Sequence, residues 1–376
     1  MKKYLMMLVI AIASQQVSAV PFSKMYVLGD SLSDNGNLRF YLCEAQGVPD
    51  EACTTPARFT NGAVAVEVLA GALTQAGLLA DPTLEPAKFS PLGVQGTNFA
   101  VVGASAIDAN ADNLPGDQGF WKTVNLDDQL AALLVSQGVI EPHSGAATGH
   151  RLDPDALYIV GFAGNDVRAA RGKLDPAGVE LLLGPDSQPI DPFDRLAHGL
   201  IAKTAIKGAV IAIGDAVTTL IDAGARHIVV LNNADTGVIP ETSVIAAVIE
   251  QAATSPRERY IARRYPAFAS ALSAGFNALL SYKIDIIRYT SGINVLEYDV
   301  DGLRDKAIGA GDFDNIEDAC LLTTTFWFFG LEAPGFNPLG CGPAVIDRWY
   351  FYDEFHPTRN VHRLGGLDLF ELVSAP

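Results

Sequence analysis

Positive charge is scarce in this chain of 376 residues. Lys and Arg number 26 against 43 Asp and Glu, a formal net charge of −17 at pH 7. Beyond Lys2 and Lys3 there is no basic cluster. Polyanion binding needs a basic patch, so nucleic acid is not an expected partner. The acidity also opposes electrostatic docking to anionic lipid, while leaving hydrophobic contact with lipid open. Cysteine is sparse too: four residues, without CxxC spacing or a neighbouring histidine, which argues against a metal centre. After the N-terminus long apolar runs are missing. The best candidate, residues 200–213, is interrupted by Lys203 and Lys207, so no transmembrane anchor is expected there. No repeat of fixed period is visible, which excludes solenoids and propellers. What is present is an apolar fraction of 49% with 18% charge, ample for a sizeable core and incompatible with disorder of the whole chain.

The first 19 residues read as an address rather than as fold. Lys2 and Lys3 precede an apolar run from Tyr4 to Ala13, and a polar stretch then ends in Val17-Ser18-Ala19. A charged region, a short apolar region and a small-x-small site make a secretory signal cut after Ala19; an uncleaved anchor is the competing reading. The run has 10 residues, against the ~20 that span a bilayer, so export by cleavage is expected. Residues 20–376 then form one domain, with a decoration at about 299–346. The four cysteines fit that destination. Of three pairings, Cys43–Cys53 and Cys320–Cys341 close the shortest loops and are the expected ones.

Short runs rich in Val, Ile, Phe and Tyr alternate with longer helical patterns. The runs are 25–28, 98–102, 157–162, 227–231 and 293–298. Helical patterns occupy 61–76, with Asn61 as cap, then 126–139, 194–223 and 256–287. Such alternation means a mostly parallel five-stranded sheet with helices on both faces. In open sheets of this type ligands sit beyond the carboxyl ends of the strands. Gly29-Asp30-Ser31 follows the first run, Gly103 the second, and Gly164-Asn165-Asp166 the third, which points to one shared site.

A serine placed where a strand turns into a helix exposes its hydroxyl and sets its N–H against developing negative charge. It needs a base, and the base needs a carboxylate to fix its tautomer. Of six histidines, His356 alone stands in a dense signature, Phe351-Tyr352-Asp353-Glu354-Phe355-His356-Pro357-Thr358, with Asp353 three residues before it. Taken alone, such Ser, Asp and Gly clusters also simply make turns.

The blocks together are more specific. Gly29-Asp30-Ser31-Leu32-Ser33-Asp34-Asn35-Gly36-Asn37, Arg58-Phe59-Thr60-Asn61-Gly62, Gly96 to Ala104, Gly164-Asn165-Asp166 and Tyr352 to Thr358 occur in this order. In this the chain resembles the GDSL esterases and lipases of the SGNH hydrolase superfamily. The resemblance implies a three-layer α/β/α flavodoxin-like SGNH hydrolase fold and a serine hydrolase acting on carboxylic esters, perhaps lipid esters, without a cofactor or metal. It implies Ser31 as nucleophile, His356 as general base and Asp353 as the acid orienting it. It implies an oxyanion hole made by the N–H groups of Ser31 and Gly103 and the side-chain amide of Asn165. Asp34 and Asn37 are read as scaffold, and Ser33 and Glu354 as displaced neighbours. Carbohydrate O-acetyl ester hydrolysis and acyl transfer to an alcohol use the same machinery and stay open, as does a non-catalytic binding protein, which the intact triad opposes. The aromatic run around Phe326 and Trp327 is either a substrate-contacting flap or core, with core favoured. Acidic stretches 108–117 and 312–318 lack EF-hand spacing and read as solvated loops.

Overall fold

In the computed structural model of the protein, the described residues are 22–88, 94–107, 124–172 and 195–375. The segment 1–19, expected to be a signal, and the acidic stretch 108–117 lie outside them. Four strands form the central sheet: β1 (Met25–Gly29), β2 (Leu157–Gly161), β3 (His227–Leu231) and β4 (Leu296–Tyr298). They pair in the order β1-β2-β3-β4, all parallel, with Met25 opposite Leu157, Leu157 opposite His227 and Val229 opposite Leu296.

The expected fifth strand is present only as an extended segment beside β1. Val27 N–H donates to the Thr97 carbonyl, and the N–H groups of Phe99 and Val101 donate to the carbonyls of Val27 and Gly29. The ladder stops at a single bridge, Val27 to Asn98, because Gly29 spends its own N–H on the side chain of Gln129 (2.8 Å). Among the described residues the sheet therefore pairs four strands, with the expected fifth present as this flanking segment. Counting that segment as second in sequence, the spatial order 2-1-3-4-5 is the flavodoxin-like one, and its switch point lies between β1 and β2.

The helices are α1 (Asn37–Leu42), α2 (Ala65–Gln75), α3 (Leu126–Ser136), α4 (Gly164–Arg171) and α5 (Arg195–Ala223). They continue with α6 (Pro240–Ala252), α7 (Pro256–Arg263), α8 (Tyr265–Ser291), α9 (Val300–Ala310) and α10 (Arg359–Ser374). Side chains alternate across the strands. Tyr26, Leu28, Tyr158, Val160, Ile228 and Val230 face α3, α5 and α8, whereas Met25, Val27, Leu157, Ile159 and Val229 face α2 and α10. Both faces are covered, and that is why the strands read as continuous apolar runs. Helix α5 buries Ala202, Ile206, Ala209, Ile213, Val217 and Leu220 at helical spacing. Residues Ala202–Ala223 are long and apolar enough to cross a membrane despite Lys203 and Lys207, yet half of this stretch is buried in the core of the fold.

Two local expectations are corrected. Asn61 does not cap α2, which begins at Ala65 with the Glu67 carboxylate accepting from Val64 N–H (3.1 Å). Asn61 serves α10 instead: its Oδ1 accepts from Arg359 N–H (2.8 Å) and its Nδ2 donates to Asp347 (2.7 Å). The stretch 299–346 is not mere decoration. Asp299 caps α9 (Gly302 N–H to Oδ1, 3.1 Å). β5 (Asn315–Ala319) pairs in parallel with a late strand, Trp349–Phe351, and β6 (Leu321–Leu322) pairs antiparallel with β7 (Gly335–Phe336). That late strand is β8 (Trp349–Phe351). The cysteines are bonded as Cys43–Cys53 and Cys320–Cys341.

Candidate active site

Ser31 leaves the carboxyl end of β1 in a tight turn. The N–H groups of Ser33 and Asp34 return to the Asp30 carbonyl (3.1 and 3.0 Å), and Leu32 N–H donates to the Asp30 carboxyl (3.0 Å). The turn is held from behind. Asp34 accepts from the N–H groups of Gly36 and Asn37 (2.8 Å each) and of Val102 (3.1 Å), and Asn37 Nδ2 donates to the carbonyls of Asn98 and Ala100. Gln129 takes both backbone groups of Gly29 (2.8 Å each), fixing the residue two before the serine. Asp30 is buried, and that burial pushes its carboxyl up to about 6.

His356 arrives from the other end of the chain. After β8 the segment Tyr352–Pro357 folds back, with Tyr352 N–H donating to the His356 carbonyl (2.7 Å). The 58–62 segment braces it: Thr60 Oγ1 donates to the Pro357 carbonyl (3.0 Å), and the Phe59 ring lies 5.4 Å from the imidazole. Gly62 is required for this brace, since a Cβ there would meet the Arg359 side chain at 2.8 Å.

His356 Nε2 lies 2.7 Å from Ser31 Oγ, and its Nδ1 lies 2.8 and 2.9 Å from the two oxygens of Asp353. Asp353 Oδ1 also accepts from the N–H groups of Phe355 (2.9 Å) and His356 (2.8 Å). A carboxylate only accepts, so the imidazole proton belongs on Nδ1 and Nε2 is left to accept from the serine hydroxyl. All three side chains are buried. The arrangement can take a proton from a hydroxyl and keep the resulting imidazolium beside a fixed negative charge.

The neighbours of these residues do other work. Glu354 points away from the imidazole and accepts from the N–H groups of Thr323 (2.7 Å), Thr324 (3.0 Å) and Thr325 (3.0 Å) and from the hydroxyls of Thr323 and Thr325. It ties the loop closed by Cys320–Cys341 to the segment carrying His356. Hence Cys320→Ser with Cys341→Ser is expected to lower melting temperature and activity together. A loop of that size is worth ~3 kcal/mol. Cys43→Ser with Cys53→Ser should leave turnover near wild type. Thermal melts and esterase rates of the two double variants provide the check.

His362 is the histidine closest in sequence to His356, and its ring is engaged elsewhere. Its Nδ1 accepts from Ala65 N–H (3.2 Å), and burial pushes its pKa down to about 3, with His356 adding a smaller effect in the same direction. The folded state thus keeps His362 neutral where the unfolded chain protonates it. Its contribution to stability is present above pH ~6.5 and is lost as the pH falls from there towards 3, at ~1.4 kcal/mol per unit. Asp30 works in the opposite sense, since its raised carboxyl favours folding as the pH falls through about 6. His362→Gln keeps an acceptor for Ala65 and should melt with a shallower acid slope than wild type. Parallel slopes between pH 7 and 4 would contradict this.

Asn165 opens α4 at the end of β2. Its Nδ2 donates to the Ala104 carbonyl (2.8 Å), and its Oδ1 accepts from Arg168 Nη1 (3.2 Å). Ser31, Asn165 and His356 line one cleft with Leu231, Val300 and Phe355. The site therefore sits at the switch point between β1 and β2. Gly103 is not among the residues lining that cleft. It is exposed, with φ +82°, on a strap held at Val102 by Asp34 and at Ala104 by Asn165. Phe326 does not line the cleft either, and the side chain of Trp327 lies outside the described residues. Phe328 from the same run packs against Ile245, Ile249 and Ala262.

Sequence reasoning missed Arg168, Glu241 and Gln129. Arg168 and Arg171 follow Asn165 at intervals of three residues on one helix, which was a readable signal; their partner Glu241 comes from α6 through tertiary contact alone.

No curated protein matches the chain at a significant level. The sequence profile of GDSL-like Lipase/Acylhydrolase, however, matches residues 25–366 and so encloses β1, Ser31, Asn165, Asp353 and His356. The chain belongs to the GDSL-like lipase/acylhydrolase family, whose chemistry is ester hydrolysis, and its α/β structure with a parallel sheet flanked by helices has the fold of the SGNH hydrolases.

Proposed function

We propose that the protein is an exported serine esterase that cleaves carboxylic esters through an acyl-enzyme on Ser31. The observation carrying this reading is the continuous relay from Asp353 through His356 to Ser31, with 2.8 Å and 2.7 Å links. Ser31 Oγ attacks the ester carbonyl carbon while His356 Nε2 takes its proton. The oxyanion is met by the N–H of Ser31 and by Asn165 Nδ2, the expected donors whose residues line the cleft. The imidazolium then protonates the departing alcohol, leaving the acyl group on Ser31. Water attacks that ester, giving its proton to His356, and the acid leaves as Ser31 regains a proton.

Leu231, Val300 and Phe355 give the cleft an apolar wall beside the nucleophile, which suits an acyl chain. Export is supported by the N-terminal pattern ending at Ala19 and by two disulfides, which persist in oxidising compartments. The test is a panel of esters of increasing acyl length, given to purified protein beginning at Val20. Hydrolysis with a chain-length optimum supports the reading. No hydrolysis of any member by folded protein would oppose it.

A further inference from the structure

The Asn165 amide is gripped at both ends. A guanidinium donates and never accepts, so the amide atom facing Arg168 Nη1 (3.2 Å) is the oxygen. The nitrogen then faces the Ala104 carbonyl (2.8 Å), which occupies one of its two hydrogens. The other hydrogen is left for the cleft that Asn165 shares with Ser31 and His356. A flipped amide would set NH2 against a guanidinium and carbonyl against carbonyl.

Arg168 is itself anchored. Its Nε and Nη2 form a two-pronged pair with Glu241 (2.8 and 2.7 Å), which leaves Nη1 directed at Asn165. Arg171 binds the same carboxylate. Burial alone would raise Glu241, but the two guanidinium charges outweigh it and hold the carboxyl at about 2. The network also reaches the base loop. Glu241 N–H donates to the Glu354 carbonyl (3.1 Å), and the Arg168 guanidinium lies 4.3 Å over the Phe355 ring, beside His356.

We propose that Arg168 is a positioning residue for ester hydrolysis. Clamped by Glu241, it locks the Asn165 amide in the orientation that offers N–H to the oxyanion, and couples that donor to the loop bearing His356. This rests on the reading of Asn165 as an oxyanion donor. The oxyanion forms only in the tetrahedral states that lead into and out of the acyl-enzyme, not in the bound ester, so the effect belongs in kcat and not in KM.

The experiment is a double-mutant cycle on the full chain, with Arg168→Met, Asn165→Ala and both together, reading kcat and KM on a short-chain p-nitrophenyl ester. Asn165→Ala should lower kcat by about 10²–10³-fold. Arg168→Met should lower it by about tenfold, with KM changed by less than about twofold, and the double variant should be no slower than Asn165→Ala alone. Arg171 remains to pair Glu241, and melting curves report whether the fold survives. Should the methionine variant melt early, Arg168→Lys is read instead. It keeps a charge for Glu241 but lacks the fork, and should show the same kcat loss. Wild-type kcat in a folded Arg168 variant, or losses that multiply in the double variant, overturns the proposal and leaves Asn165 as donor. Wild-type kcat in Asn165→Ala removes the donor reading itself, and this proposal with it.

Discussion

Ser31→Ala is expected to lower kcat by about 10⁶-fold, the order seen when a triad nucleophile is lost, while the protein stays folded. The methyl group removes the only atom of residue 31 that faces His356 Nε2 at 2.7 Å. The turn around it does not depend on that hydroxyl. Asp30, Asp34, Asn37 and Gln129 hold the backbone through their own side chains. Melting temperature should therefore stay near wild type. Ser33→Ala is the matched control: that serine is two residues away, is buried, and contributes its carbonyl to Asn98. It should retain most of the turnover. A folded Ser31→Ala protein with near-wild-type rates would remove Ser31 from the mechanism.

Asp353→Asn is expected to cost about 10⁴-fold in kcat at neutral pH. Asparagine can keep accepting from the N–H groups of Phe355 and His356 through its oxygen, so the turn should persist. What changes is the tautomer. An amide NH2 beside Nδ1 donates where the carboxylate accepted, which moves the imidazole proton to Nε2, the atom that must receive the serine proton. The imidazolium also loses its counter-charge. Rates within about tenfold of wild type in a folded variant would mean that the imidazole is oriented by something other than Asp353.

These residues were legible in the sequence because the chemistry sits in short contiguous blocks, each following an apolar run that folds as a strand. β1, β2 and β3 lie where the apolar runs lie, and α5 and α8 lie where the helical patterns 194–223 and 256–287 lie, the second pattern also covering α7. The second run, 98–102, forms no full strand because Gln129, some 30 positions later in the chain, takes the N–H that a ladder needs. β5 was missed since Asn315-Ile316-Glu317-Asp318-Ala319 has no apolar alternation; its pairing with β8 comes from tertiary context. Asn61 has the chemistry of a helix cap, but not the address: it caps a helix some 300 positions away. The Arg168–Glu241 pair was hidden for the same reason. Spacing along a helix shows which side chains share a face, never which acid from another helix will meet them.

Labelling with a serine-directed fluorophosphonate, followed by peptide mapping by mass spectrometry, tests the nucleophile most directly. The phosphorus takes the place of the ester carbonyl, and the adduct forms only on a serine whose hydroxyl is activated by its neighbours. One adduct per chain is expected, on Ser31, in step with loss of esterase activity and absent from His356→Ala. Inactivation with the phosphonyl group on another serine, or no labelling of active protein, would contradict Ser31 as the nucleophile.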